Sequence, residues 1–406
     1  MPGRRDHGDG GIDQRGPDQW RLRWRVGGQR YSKAFHGTKK AAQTELRRLL
    51  KSADDGAHVA PDKITLAEWL NRWLALQERR DGEHAGKRRR GLVNARTLER
   101  YAELLRLHVV PTLGARPVQA LMPTEIDTLY TKLEQRLSPR TVHHVHTVLG
   151  ACLNAAVRKG VLVTNPVTRA EPPSPGGGER GQVLEQDQLA ALLSGFRGLS
   201  LYPIVATAAF TGARRNEILA LRWSDLDILN KTLAVRRSLE ETKAHGVAFK
   251  EPKTSRGTRS IKIDDGLVEL LCAEREKHLR IIAGVAEGEG IDLSLVKLPD
   301  GALMFPTPPM GERAFDFTRP RNSRSVTKEF VRRAHKLGFA KLRFHDLRGT
   351  HGTFLLDAGV PVHVVAARCG HDSAVLLRTY AKRTRKADTS AAAVIGALSK
   401  SVLGSS

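Results

Sequence analysis

Thr211-Gly212-Ala213-Arg214-Arg215-Asn216-Glu217 decides how the second half of this 406-residue chain reads. The Thr-Gly pair ends one helix, and Glu217-Ile218-Leu219-Ala220-Leu221 begins the next. Arg214 therefore falls near a helix start, where backbone N–H groups favour an anion, and its planar fork can take two phosphate oxygens at once. Four more strings follow: Pro252-Lys253-Thr254, His345-Asp346-Leu347-Arg348, Gly370-His371 and Arg378-Thr379-Tyr380. His345 and Arg348 stand three apart at a predicted helix start and share a face. Together the candidates are two guanidiniums, two imidazoles, an ammonium and a phenol, with no carboxylate pair for a metal and no Gly-rich phosphate loop. Such a set suits a phosphodiester reaction in which the protein supplies nucleophile, acid, base and neutralising charge. Taken singly, each has an ordinary reading. Arg214 is then a structural arginine paired with Glu217, Lys253 a surface lysine on a turn, His345 and Arg348 a structural pair, and Tyr380 a core or surface residue.

In this order, with Tyr380 nine residues after His371, the strings closely resemble the tyrosine recombinases, the phage integrase family of site-specific DNA strand-exchange enzymes. The resemblance runs over about residues 20–385 and is strongest from 205 to 383. It implies that Tyr380 is the nucleophile, that Lys253 protonates the leaving 5′-oxygen and that His345 takes the nucleophile's proton. Arg214, Arg348 and His371 then stabilise the transition state, with neither metal nor other cofactor. A free phenol, with a pKa of about 10, needs such cations beside it. Glu217 steadies Arg214 in this reading. Gly349 and Cys369 stand where the family more often has histidine and leucine, and neither removes a catalytic group. Two other classes share the pattern: a DNA-binding regulator that kept the fold and lost the chemistry, and a type IB topoisomerase. The complete set of six argues against the first; the basic amino-terminal piece and the tail after Tyr380 argue against the second.

The charge agrees with a nucleic-acid partner. Net charge is +24, and it is spread: residues 1–60 carry 13 Lys/Arg against 7 Asp/Glu, residues 64–170 carry 17 against 9, and residues 180–383 carry 33 against 23. A chain positive throughout suggests a polyanion contacted along its whole length. Three scattered cysteines, Cys152, Cys272 and Cys369, exclude a disulfide framework and a Cys-rich zinc site, and fit a reducing cytoplasm. No secretory signal or bilayer-spanning run is apparent, so no membrane partner is expected.

The organisation reads as three domains. Residues 1–18, rich in Gly, Asp and Arg, predict disorder. Gln19 to Val26 alternates apolar residues with Arg21, Arg23 and Arg25, Gly27-Gly28 signals a turn, and Gln29 to Phe35 returns as a partner strand. Thr38 then caps a helix with Ala42, Leu46, Leu49 and Leu50. This piece, residues 1–58, is either an ordinary basic hairpin or, as the resemblance implies, an arm-type DNA-binding domain. Residues 62–170 predict four helices, resembling the family's core-binding domain. Thr65 with Glu68 boxes the first, residues 93–110 form the second up to a stop at Pro111 and Gly114, Thr124 with Asp127 opens the third, and Ser138-Pro139 starts the fourth. Lys87, Arg88, Arg89 and Arg90 form a loop that either grips phosphate or is merely solvated. His143, His144 and His146 read as a polar helix face rather than a metal site, because they do not share one face. Residues 171–181, with Glu171-Pro172-Pro173-Ser174-Pro175-Gly176, are a linker, residues 182–390 the catalytic domain, and 391–406 a tail. The implied fold is mixed, mainly α: a small sheet with one helix, a four-helix domain, and a mainly α catalytic domain with a small antiparallel sheet. The implied partners are double-stranded attachment-site DNA and three further copies of the chain on that DNA, with room for an excision factor or a DNA-bending host protein. The implied location is the bacterial cytoplasm, at the nucleoid when bound.

Overall fold

The computed structural model describes residues 10–26, 28–54, 62–82, 94–176, 181–244, 246–250, 257–309, 314–370, 372 and 374. Lys87, Arg88, Arg89, Arg90, Lys253, His371, Tyr380 and the tail lie outside the described residues. The chain divides into two compact units, Met1–Gly178 and Glu179–Ser406.

The first unit opens on an antiparallel sheet of β1 (Gly11–Gly16), β2 (Gln19–Val26) and β3 (Gln29–His36), in that order. Strict alternation along β2 sends Trp20, Leu22 and Trp24 inward and leaves Arg21, Arg23 and Arg25 exposed on the other face. Val26 pairs with Gln29, and Gly28 before it takes a φ of 82°. Helix α1 (Lys39–Asp54) lays Ala42 and Leu46 over the inner face. The expected disorder of residues 1–18 is corrected from residue 10 onward. Ile12 packs on the Trp20–Leu22–Trp24 cluster and Asp13 binds Arg23 at 2.8 Å, so a glycine-rich stretch becomes an edge strand.

Five helices follow among the described residues where four were expected: α2 (Leu66–Gly82), α3 (Ala95–His108), α4 (Val110–Leu113), α5 (Pro123–Glu134) and α6 (Pro139–Arg158). The Thr65–Glu68 box forms, at 2.8 and 3.3 Å. Pro111 does not end a helix as expected; it sits in the first turn of α4, where its missing N–H costs nothing. The third predicted helix starts earlier than Thr124: Pro123 is its first residue, and the Glu125 carboxylate accepts the Met122 N–H at 2.9 Å. Leu66, Trp69, Leu70 and Trp73 pack with Leu104, Ile126, Leu129, Val145 and Leu149 into one core. His146 meets the Tyr130 hydroxyl at 3.0 Å, and no metal-holding group of His, Cys, Asp and Glu occurs among the described residues.

The second unit is mainly helical. Among the described residues its α-helices and strands are α7 (Gln186–Phe196), α8 (Tyr202–Thr211), α9 (Arg215–Ile218), β4 (Leu226–Asp227), β5 (Thr232–Val235), β6 (Ser238–Thr242), β7 (Gly246–Lys250), β8 (Arg259–Lys262), α10 (Asp265–Ala283), α11 (Ser323–Lys336), α12 (Asp346–Asp357) and α13 (Val362–Cys369). Strands β4, β5 and β8 form the expected small antiparallel sheet; β6 and β7 make a separate hairpin that the sequence pattern did not reveal. Mostly apolar, α8 runs through the core with Pro203 to Ala209 buried, and Thr207 and Thr211 return their hydroxyls to carbonyls one turn back in the chain. In the same core Phe196 stacks on Phe330 with centroids 5.6 Å apart, and Phe344 meets Phe330 edge to face at 5.3 Å. No described helix is long and apolar enough to cross a membrane.

Candidate active site

The two candidate arginines are held by the ends of two helices. Helix α8 closes on Gly212, whose φ of 62° only glycine adopts cheaply. The chain then runs extended through Arg214, and α9 begins at the next residue. Glu217, buried, receives the Arg214 N–H and one guanidinium nitrogen, each at 2.8 Å. The other Arg214 nitrogen donates to the Gly370 carbonyl at 2.9 Å. Arg348, on the first turn of α12, is 2% exposed and donates to the Gly212 carbonyl at 2.6 Å and to the Cys369 carbonyl. Both guanidiniums thus end on carbonyls at the C-terminus of α13, where the helix dipole favours a cation. The Arg348 Nε finds no partner among the described residues.

The electrostatics follow from this crowding. Burial, and then the charge of Arg214, pull the Arg348 pKa down to about 10, which still leaves it charged at neutral pH. Burial alone would raise the Glu217 carboxyl, but hydrogen bonds and charge from Arg259, and then Arg214, outweigh it and hold its pKa below the usual range. His345 opens α12 with its side chain toward solvent. Partial desolvation, and then Arg348, lower its pKa, so a neutral ring able to accept a proton is favoured. Buried Asp346 anchors the same turn, accepting the Arg343 N–H at 2.9 Å and its guanidinium at 2.8 Å.

Arg214, His345 and Arg348 are therefore brought to one site. Gly370, which precedes His371, belongs to it through its carbonyl, and β7 ends three residues before Lys253. Arg21, Arg23 and Arg25 belong to the first unit's sheet. Sequence reasoning missed Arg259, whose nitrogen meets Glu217 at 2.8 Å while its Nε donates to the Arg368 carbonyl at 2.8 Å. A signal existed: Arg259 shares a face of β8 with buried Ile261 two residues on.

Residues 182–386 match the family model described as "Phage integrase family", and residues 82–172 match "Phage integrase central domain". The chain belongs to the phage integrase family. It is a tyrosine recombinase, an enzyme that breaks and rejoins DNA. The chain is 27% identical over 421 residues to an integrase of Streptomyces ambofaciens, covering 98% of this chain and 99% of that one. In fold it is similar to the Tn1549 transposon integrase in complex with a circular intermediate DNA, with a TM-score of 0.60, 19% identity, and 80% of this chain and 99% of that one covered. It is also similar to a lambda integrase dimer bound to a COC′ core site, with a TM-score of 0.55, 17% identity, and 94% and 97% covered.

Proposed function

We propose that this integrase cuts DNA through a 3′-phosphotyrosyl intermediate on Tyr380 and so integrates and excises a phage or other integrative mobile element. The Tyr380 oxygen attacks the scissile phosphorus and its proton passes to His345. The bond from phosphorus to the 5′-oxygen breaks, and Lys253 protonates that oxygen. Arg214, Arg348 and His371 face the added negative charge of the pentavalent state. The broken phosphodiester is exchanged for a phosphotyrosyl ester, so its energy is kept and neither nucleotide nor metal enters the balance. A 5′-hydroxyl from the partner duplex reverses the step, and two such rounds between two duplexes call for four copies of the chain.

The observation that carries this reading is the convergence of Arg214 and Arg348 on the carbonyls of Cys369 and Gly370, immediately before His371 and ten residues before Tyr380. Rigidly placed guanidiniums beside a low-pKa imidazole suit an in-line attack on phosphate.

The domain roles belong to the same proposal. Residues 1–58 bind arm-type sites, residues 62–170 clasp the core site with help from Lys87, Arg88, Arg89 and Arg90, residues 171–181 link, residues 182–390 cut, and residues 391–406 dock on a neighbouring copy. Arg25 stands directly opposite Arg30 on the exposed face of the first sheet, a repulsive pair that a polyanion relieves. The enzyme acts in the bacterial cytoplasm, at the nucleoid.

The test uses a nicked duplex built from the junction sequences that flank the gene, with EDTA present. Wild-type protein should form a covalent adduct stable to denaturant, and Tyr380→Phe should bind the same duplex and form none. An adduct with the Phe variant, or a strict need for added magnesium, overturns the mechanism.

A further inference from the structure

We propose that His351 and Arg368 are a positioning pair, clamping the end of α8 to the end of α13 so that Arg214 and Arg348 point at the scissile phosphate. The inference rests on the active-site reading above. The carbonyls that hold the two guanidiniums lie in two stretches remote in sequence: Gly212 after α8, and Cys369 with Gly370 at the end of α13. Something must fix one stretch against the other. Arg368 does so with its whole fork. Its Nη2 donates to the Phe210 carbonyl at 3.1 Å, its Nη1 to the Lys262 carbonyl at 2.9 Å, and its Nε to His351 Nε2 at 3.1 Å.

His351 completes the bridge. A guanidinium has no lone pair to offer, so Nε2 must be the acceptor and the ring proton must lie on Nδ1. That proton faces the Ala209 carbonyl at 2.9 Å, in the last turn of α8. Both ring nitrogens are thereby committed, and the ring is 8% exposed. It also presses on the turn itself. A Cβ added to Gly212 would fall 2.6 Å from His351 Cδ2 and 3.2 Å from the Cys369 sulfur, so ring, glycine and thiol are in close contact. The Arg368 carbonyl meanwhile accepts from Arg259, the partner of Glu217, which grips Arg214. One unbroken path of hydrogen bonds therefore joins Ala209, His351, Arg368, Arg259, Glu217 and Arg214.

Among the described residues the two side chains bond only each other and the carbonyls of Ala209, Phe210 and Lys262. Their effect is on aim, and a shift of about 1 Å at a reacting centre costs on the order of 100-fold in rate. Full-length variants are assayed on the nicked duplex for single-turnover adduct formation and, separately, for core-site affinity. His351→Phe, which fills the space and loses both hydrogen bonds, should slow adduct formation about 100-fold and leave affinity within about threefold. His351→Gln places an amide oxygen where Nε2 accepts from Arg368 and should recover about tenfold of that loss; His351→Asn, which reaches only toward Ala209, should not.

Equal rates for the Phe and Gln variants overturn the proposal, as does affinity falling in step with rate. Loss of the folded state in both variants also overturns it, because the pair is then general packing. Tyr380→Phe and Arg348→Ala run alongside. If they lose the adduct while His351→Phe cuts at the wild-type rate, only the positioning pair fails. If Tyr380→Phe still forms the adduct, the active-site reading itself fails.

Discussion

On the first unit's sheet, Arg21, Arg23 and Arg25 stand exposed along one face of β2; in the second unit Arg348 is 2% exposed and Arg214 is tied at both ends of its guanidinium. The same side chain is used in two ways. The exposed row can re-hydrate and exchange partners, so against a polyanion each charge would add affinity that salt erases. The held pair has given up that freedom in advance, and its entropy of ordering is not charged to the reaction. Loss of a held arginine should therefore appear in rate, and loss of an exposed one in binding.

The largest expected effect tests the first half of that contrast. Arg348→Ala should reduce adduct formation by about a thousandfold or more while core-site binding changes little, and Tyr380→Phe should abolish the adduct. Measured rates and affinities for both variants check this. An Arg348 variant that cuts normally but binds poorly would place it with the surface row.

Glu217→Gln comes next. The carboxylate compensates Arg214 and Arg259 at once, and removing it strands two cations, one of them nearly buried. Breaking a buried pair costs on the order of 3–5 kcal/mol. The second unit should melt at a clearly lower temperature in calorimetry. Because the Glu217 pKa is depressed, its stabilisation is complete above the ordinary carboxylate range and fades as pH falls through the folded value. Melting of the variant should accordingly respond less to strong acid than that of the wild type.

What the sequence made legible follows the same division. Arg214, His345 and Arg348 could be found because their strings, taken together and in order, resemble those of a known family, and phosphate chemistry gives each side chain a use. The carbonyls of Gly212, Cys369 and Gly370 could not, since every residue carries one and only the fold decides which are left over at a helix end. Arg259 was half-visible, through its period-two relation to Ile261. His351 could not be given a role from the sequence, because its partners Ala209 and Arg368 come from other helices. Strand β1 was hidden by glycines, and Pro111 looked like a stop because proline both ends helices and starts them.

Acid should also separate the buried unit from the exposed face. Burial, followed by nearby cations, pulls His278 and His351 down to about 4 each. His351 is faced by Arg368 from α13, by the Ala209 carbonyl from α8 and by Arg348 from its own helix; His278 accepts from Trp223 at 3.1 Å and feels Arg321 and Lys277. The unfolded chain binds these protons near pH 6.5 and the folded chain does not, so stability is whole above about 6.5 and falls between there and about 4, by at most on the order of 3 kcal/mol per histidine. Denaturant unfolding against pH should show this slope, and His351→Gln should remove about one proton from it. An unchanged slope would mean that His351 is protonated in the folded state.

Replacing Arg21, Arg23 and Arg25 together with alanine should leave covalent cutting at an isolated core site untouched and lower the salt dependence of arm-site binding by about two to three in log–log slope. Titrations at several salt concentrations measure it. An unchanged slope would mean that this face does not meet DNA.

The smallest effect is the most specific to the exposed row. Asp13 lies opposite Arg21 in the register and holds Arg23 at 2.8 Å, with both side chains substantially exposed. An ion pair of this kind contributes less than about 1 kcal/mol to folding. If this face binds arm-type sites as proposed, the pair occupies a cation that would otherwise meet phosphate, and the negative charge of Asp13 opposes the polyanion. Asp13→Asn keeps size and hydrogen bonding and removes only the charge. Melting should hardly move, arm-site affinity at low salt should rise about two- to fivefold, and the gain should vanish at high salt as screening takes over. In the second unit the corresponding change, Glu217→Gln, is expected to be destructive. If Asp13→Asn instead weakened DNA binding, Asp13 would be aiming Arg23 as Glu217 aims Arg214, and the contrast between an exposed row and a held pair would no longer stand.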